Sequence, residues 1–309
     1  MVRVRIVSLL PSATELVAAL GLAEALVGRS HECDYPPGVE ALPVCTYPKF
    51  DPQGSSGEIH ARVEQLLQSA LSVYGLELAT LAALQPTHIL TQAQCEVCAV
   101  SLADVQAAVR THLPSRPQVI SLQPNTLEDL WQDIRHTAQT LGVDPEPLVS
   151  HLQARVQRVQ AQVSQRPRPT VVCIEWTDPL MNAGHWVPEL VHLAGGQELL
   201  GQWGQASAWI SWEDLLTANP ERLIFMPCGF SLPQTRQAVL ELSRDPHWQQ
   251  LQAVQNHQIY LVDGNHYFNR PGPRLVDSLE ILAEILHGIP SGYRSAWQRL
   301  QQPSYAECR

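Results

Sequence analysis

EPLVSHLQARVQRVQAQVSQ, residues 146–165, carries apolar side chains at Leu148, Leu152, Val156, Val159 and Val163. Steps of four, four, three and four make one stripe down a helix, because the helical repeat is 3.6 residues. Pro145 and Pro147 stand at its start and Pro167 and Pro169 beyond its end, where proline is tolerated in a first turn and blocks continuation past the last. The pattern changes on either side. Short β-branched runs recur at Val4–Leu9, Ala25–Gly28, Thr87–Thr91 and Gln118–Leu122, then at Thr170–Ile174, Arg222–Met226 and Gln258–Val262. Turn residues and a helical pattern follow each run, and strands alternating with helices imply βαβ units. The spacing therefore predicts two Rossmann-like α/β lobes with mostly parallel sheets, residues 1–143 and 167–309, bridged by a single long helix over 144–166.

Composition excludes several functions. The chain has 309 residues, 45% of them hydrophobic and 16% charged, and no apolar run approaches the ~18 residues of a membrane span. A net charge of -10, with arginines scattered singly, disfavours a nucleic-acid partner. The N-terminal MVRVRIVSLLPSATELVAALGLAEALVG is interrupted by Ser8, Pro11, Ser12, Thr14 and Glu15. It reads as a strand and an amphipathic helix, not a signal peptide. That predicts a cytoplasmic location, the alternative being the periplasm if a leader was removed. Seven cysteines, two of them in a C-x-x-C, do not form a secreted disulfide framework.

Ligands of open α/β sheets bind outside the carboxyl ends of the strands, so the loops there carry the candidate chemistry. They include Ser30 to Tyr35, Gln92 to Cys98, Glu175 to Asp178 with Gly184 to Trp186, Pro227 to Phe230, and Asp263 to Arg270. Cys95 and Cys98 lie between a strand and a helix start, where the helix dipole lowers a thiol pKa. A redox pair, half of a metal site and two packed thiols all fit them. Rings at Trp176, Trp186, Phe230 and Tyr267 offer flat apolar faces to a ligand. Arg270, opening the last helix, either holds an anionic group or pins that helix to the sheet. Neither paired carboxylates nor a Ser/His/Asp order is present, so no catalytic residues are assigned.

Four stretches carry a resemblance that spans nearly the whole chain: SLLPSATELVAALGLAEALVGRSHECDYPP (8–37), NAGHWVPELVHLAGGQELLG (182–201), ISWEDLLTANPERLIF (210–225) and NRPGPRLVDSLEIL (269–282). Together they resemble the periplasmic-type binding proteins for cobalamin and ferric chelates, and most of all the cobalamin-binding branch. The resemblance implies two rigid lobes that hold a cobalamin-like corrinoid or related metal chelate between them. Tyr35, in the DYPP turn, would then line the ligand cleft with Trp176, His185, Trp186, Phe230, Tyr267 and Arg270. It also implies an ABC permease as partner, docked through a Glu in each lobe seven residues before a Pro. Glu213 stands there before Pro220, whereas Ala79 occupies the matching position before Pro86, with Glu77 two residues out of register.

If the lobes face each other as the family implies, Cys33, Cys95, Cys98, Cys228 and His31 converge as candidate ligands of a bound zinc or iron ion. The alternative function is thus a cytoplasmic metal-binding protein or metalloenzyme using this Cys/His cluster.

Overall fold

The computed structural model describes residues 4–68, 72–93 and 100–301. The chain divides into two compact α/β units, one of Met1–Gly54, Glu58–Leu152 and Pro271–Pro273, the other of Ser55–Gly57, Gln153–Arg270 and Arg274–Arg309.

The first unit contains strands β1 (Ile6–Ser8), β2 (Leu26–Gly28), β3 (Thr46–Pro48), β4 (Tyr74–Leu76), β5 (His88–Gln92) and β6 (Gln118–Leu122). Four of them form a sheet in the order β2-β1-β5-β6, every pair parallel. β3 and β4 form a separate antiparallel pair. The helices are α1 (Pro11–Ala19), α2 (Ser56–Leu67), α3 (Leu78–Leu84), α4 (Leu102–His112), α5 (Leu127–Leu141) and α6 (Glu146–Val163). α5 shows how locally these are specified. Thr126 and Asp129 form a reciprocal capping box, Gly142 closes the helix at φ +75°, and Leu127, Leu130, Trp131, Ile134 and Leu141 bury one face. Ser/Thr caps satisfy the orphan amides, and a C-terminal glycine adopts the left-handed conformation without a Cβ penalty. Val7, Leu9, Leu81, Ile89 and Val105 build the core.

α6 is the predicted long helix, and the boundary between the units falls within it. Its buried residues are Val149, Leu152, Val159 and Val163, with Leu148 and Val156 half-buried. The stripe therefore starts one residue later than the sequence suggested, since Val149 continues the alternation of three and four more closely than Leu148.

The second unit holds β7 (Thr170–Thr177), β8 (Leu180–Asn182), β9 (Gln197–Glu198), β10 (Arg222–Phe225), β11 (Ile259–Val262) and β12 (Trp297–Arg299), with α7 (Val187–Leu193), α8 (Trp212–Ala218), α9 (Leu232–Leu242), α10 (Gln252–Gln255) and α11 (Leu275–His287). The sheet runs β12-β11-β10-β7-β8, with β9 beside β7. β7, β10 and β11 are parallel, whereas β8 and β12 are antiparallel additions at the edges. Val171 to Ile174 are all fully buried, as expected of a strand covered on both faces. Phe225 and Trp248 pack at 5.9 Å in the core beneath. No helix among the described residues is long and apolar enough to cross a membrane.

Glu198, on β9, accepts backbone N–H bonds from Cys173 (3.1 Å), Leu200 and Gly201 (both 3.2 Å). Burial nonetheless pushes its carboxyl up to about 7, outweighing those donors. A carboxyl with a raised folded pKa binds its proton more tightly in the folded state, so the stability it contributes is full below its unfolded pKa and is lost as pH rises towards 7. Urea denaturation between pH 4.5 and 7.5 is expected to show Glu198 costing roughly 2 kcal/mol across that window. The pH slope should flatten in Glu198→Gln, and an unchanged slope would refute the assignment.

Candidate functional site

In the first unit the loop after β2 is organised by Arg29, whose Nη1 donates to the carbonyls of Ser30 (3.0 Å), His31 (3.4 Å) and Cys33 (3.2 Å), and whose Nη2 donates to that of Glu40 (3.1 Å). One guanidinium thus satisfies a turn of backbone acceptors that no regular structure covers. His31 is fixed twice by Thr46, through its backbone N–H (3.0 Å) and through Nδ1 (2.7 Å). The Thr46 hydroxyl donates onward to Ser30 Oγ at 3.0 Å, so its oxygen receives Nδ1–H and the lone pair of the neutral ring lies on Nε2. Burial, assisted by the Arg29 charge, lowers the His31 pKa and favours that neutral form. The ring rests on Tyr74 at 5.2 Å, and the Tyr74 hydroxyl donates to Glu32 at 3.0 Å. Tyr35 follows in the same loop, 41% exposed, before a cis peptide to Pro36.

In the second unit three strand-end loops meet. Trp176, at the end of β7, tilts against Phe230, in the loop after β10, with ring centroids 5.3 Å apart. The Trp176 indole N–H reaches back to the Asp178 carbonyl (3.0 Å). The loop after β11 is held by its own polar groups: Asp263 accepts from the N–H of Asn265 (3.1 Å) and His266 (2.9 Å), and pairs with His266 Nδ1 at 2.8 Å. Asn269 ties this loop to its neighbour, donating to the carbonyls of Met226 (2.8 Å) and Gly264 (3.0 Å). Gly264 is required there, because a Cβ would sit 2.2 Å from the Pro227 carbonyl oxygen.

The candidate residues separate into those that face outward and those absorbed by the fold. Trp176 is half-buried and Tyr35 exposed, whereas Trp186 is 7% exposed, with its indole N–H donated to the Phe268 carbonyl (2.6 Å) and its ring stacked on His185 at 5.5 Å. His185 itself is held at φ +51° by bonds with Gln205 and Gly204. Arg270 is 6% exposed and donates to Asn265 Oδ1 (3.2 Å) in its own loop. Tyr267 carries Arg274 over its ring at 4.5 Å and meets Tyr293 edge-on. Arg29, Thr46 and Asn269 are the organising residues that the sequence reading missed. A polar side chain inside a strand-end loop rich in unpaired carbonyls was the available signal.

Among the described residues no three His, Cys, Asp or Glu side chains gather where a metal ion could be held. Cys33 is buried, with its sulfur 3.0 Å from Thr14 Oγ1. Cys228 is half-buried after β10. Cys95 and Cys98 lie outside the described residues.

Glu213 is exposed in the first turn of α8, which a Ser211–Asp214 capping box opens. α8 and α3 are built alike: seven helical residues, a left-handed residue (Asn219, φ +36°; Gln85, φ +43°), a proline, then a strand. The match sets Ala79 opposite Glu213 and puts Glu77 at the cap position, as the sequence spacing indicated.

A model of the family described as "Periplasmic binding protein" matches residues 6–265. The vitamin B12-binding protein of Vibrio cholerae is 25% identical over 296 residues, covering 91% of this chain and 88% of its own. Among solved structures, an ABC transporter substrate-binding protein from Listeria monocytogenes EGD-e has a TM-score of 0.70 at 18% identity, covering 93% of this chain and 99% of its own. The periplasmic vitamin B12 binding protein of Vibrio cholerae has 0.63 at 22%, covering 91% and 96%. The periplasmic heme-binding protein of Roseiflexus sp. RS-1 has 0.68 at 22%, covering 93% and 98%.

Proposed function

Since the chain belongs to the periplasmic binding protein family, we propose that it is the binding protein for a corrinoid of the cobalamin class, taken up through an ABC permease. The half-buried Trp176 ring carries this reading: it lies at the end of β7, backed by the buried Phe230 ring 5.3 Å away, and offers apolar area suited to a flat macrocycle. Similarity to a vitamin B12-binding protein along 91% of the chain supports the same ligand class. His31, neutral and with its Nε2 lone pair unspent, suits the metal of such a chelate. Tyr35 adds exposed aromatic area, and the family description favours a periplasmic location over the cytoplasmic one.

The test is a titration of purified protein with cyanocobalamin, cobinamide and haemin, followed by absorbance and calorimetry. One equivalent of a corrinoid is expected to bind with Kd on the order of 1 µM or tighter. Tighter haemin binding would replace the ligand, and no binding below high micromolar would overturn the proposal. Glu213→Ala should leave that titration unchanged while weakening capture by the cognate permease.

A further inference from the structure

We propose that the second unit carries a separate site for a small organic dianion, in a cavity walled by α9, α11 and β12. The cavity has a volume of about 710 Å³, within the range of small-molecule sites. Arg236, Arg294 and Arg299 line it. Three guanidiniums in one cavity are notable in a chain of 20 basic and 30 acidic residues. None of the three enters an ion pair among the described residues.

The wall is otherwise fixed by the fold. Trp297 and Arg299 are two residues apart on β12 and so share a face, paired in register with Val262 and Tyr260. Arg299 is anchored by Nε donating to the His257 carbonyl, and the Trp297 ring packs on Tyr260 at 5.9 Å. Trp297 lines the cavity, and its indole N–H, buried with no hydrogen-bond partner among the described residues, gives a resonance that reports on this wall. Glu284 is the one acid among the described wall residues, and its carboxylate already accepts from the Ser291 N–H and hydroxyl. Three cations against one anion leave a surplus that two acidic groups neutralise, and guanidinium forks match carboxylate and phosphate oxygens. The geometry points to a di- or tricarboxylate or a phosphate ester. No wall residue belongs to the loops that carry Trp176, Phe230 or Tyr267, so chelate binding and dianion binding fail independently.

The full chain, in low-salt buffer, is titrated with citrate and with glycerol phosphate, acetate serving as the monovalent control, and followed by calorimetry and by the indole N–H resonances. Saturation by at least one of the two is expected, with acetate silent. One indole resonance should move, and it should be the one missing from Trp297→Phe. The double variant Arg236→Ala/Arg294→Ala alters exposed side chains and should weaken binding about tenfold or more. Citrate alone binding identifies a carboxylate ligand; glycerol phosphate alone, a phosphate ester. No saturation by roughly 10 mM of either, unchanged affinity in the double variant, or a moving resonance that survives Trp297→Phe would each overturn the proposal.

Discussion

Replacing Arg155 with alanine is expected to lower the unfolding free energy by about 3–5 kcal/mol. Arg155 lies on the part of α6 that belongs to the second unit, and its guanidinium meets Glu280 at 3.0 and 2.7 Å, Asp277 at 2.7 Å and the Tyr293 hydroxyl at 3.2 Å. The side chains of Asp277 and Glu280 are 13% and 18% exposed. Removing the cation leaves two carboxylates in a poorly hydrated site, with Arg274 3.5 Å from Asp277. That differs from an exposed pair such as Arg135–Glu146, whose loss costs less than ~1 kcal/mol. Urea denaturation at pH 7 measures both. Glu280→Gln, which keeps the shape and removes one charge, should cost less than Arg155→Ala. Equal and small losses for Arg155→Ala and Arg135→Ala would show that solvent screens the network.

Trp176→Ala is expected to weaken binding of the corrinoid by about 30-fold or more, the effect typical of a central aromatic contact. Phe230→Leu should follow the same direction with a smaller change, because the buried Phe230 acts by backing the Trp176 ring and leucine keeps much of that bulk. Trp186→Phe is the control: its indole is spent on the Phe268 carbonyl, so affinity should hold while stability falls. Comparing titrations with urea midpoints separates the two effects. An affinity unchanged in Trp176→Ala would remove the ring pair from the site.

The parallel strands were legible because each carries a compact apolar run, buried along almost its whole length in β1, β5, β10 and β11 and through Val171–Ile174 of β7, and the seven predicted runs coincide with β1, β2, β5, β6, β7, β10 and β11. The strands that escaped are edge elements. β3 contains Tyr47 and Pro48, β9 has two residues, and β12 reads Trp-Gln-Arg, so none carries a run long enough for periodicity to register. Their pairing depends on a partner distant in sequence, such as Tyr74 to Leu76 for β3.

The sequence alone determined the α/β architecture of both halves, the long α6, the family and the loops in which to seek a site, since all these follow from local spacing and motif order. The tertiary structure decided which side chains those loops have to spare. Trp176 and Trp186 are equivalent as letters, yet the second is sealed against Phe268. Cys33, a candidate ligand by sequence, is buried with its sulfur 3.0 Å from Thr14 Oγ1. His31 acquires a defined tautomer only because Thr46, fifteen residues on, receives its proton. Periodicity reports the face a residue shares with its chain neighbours, whereas burial and hydrogen bonding are set by partners that only folding brings near.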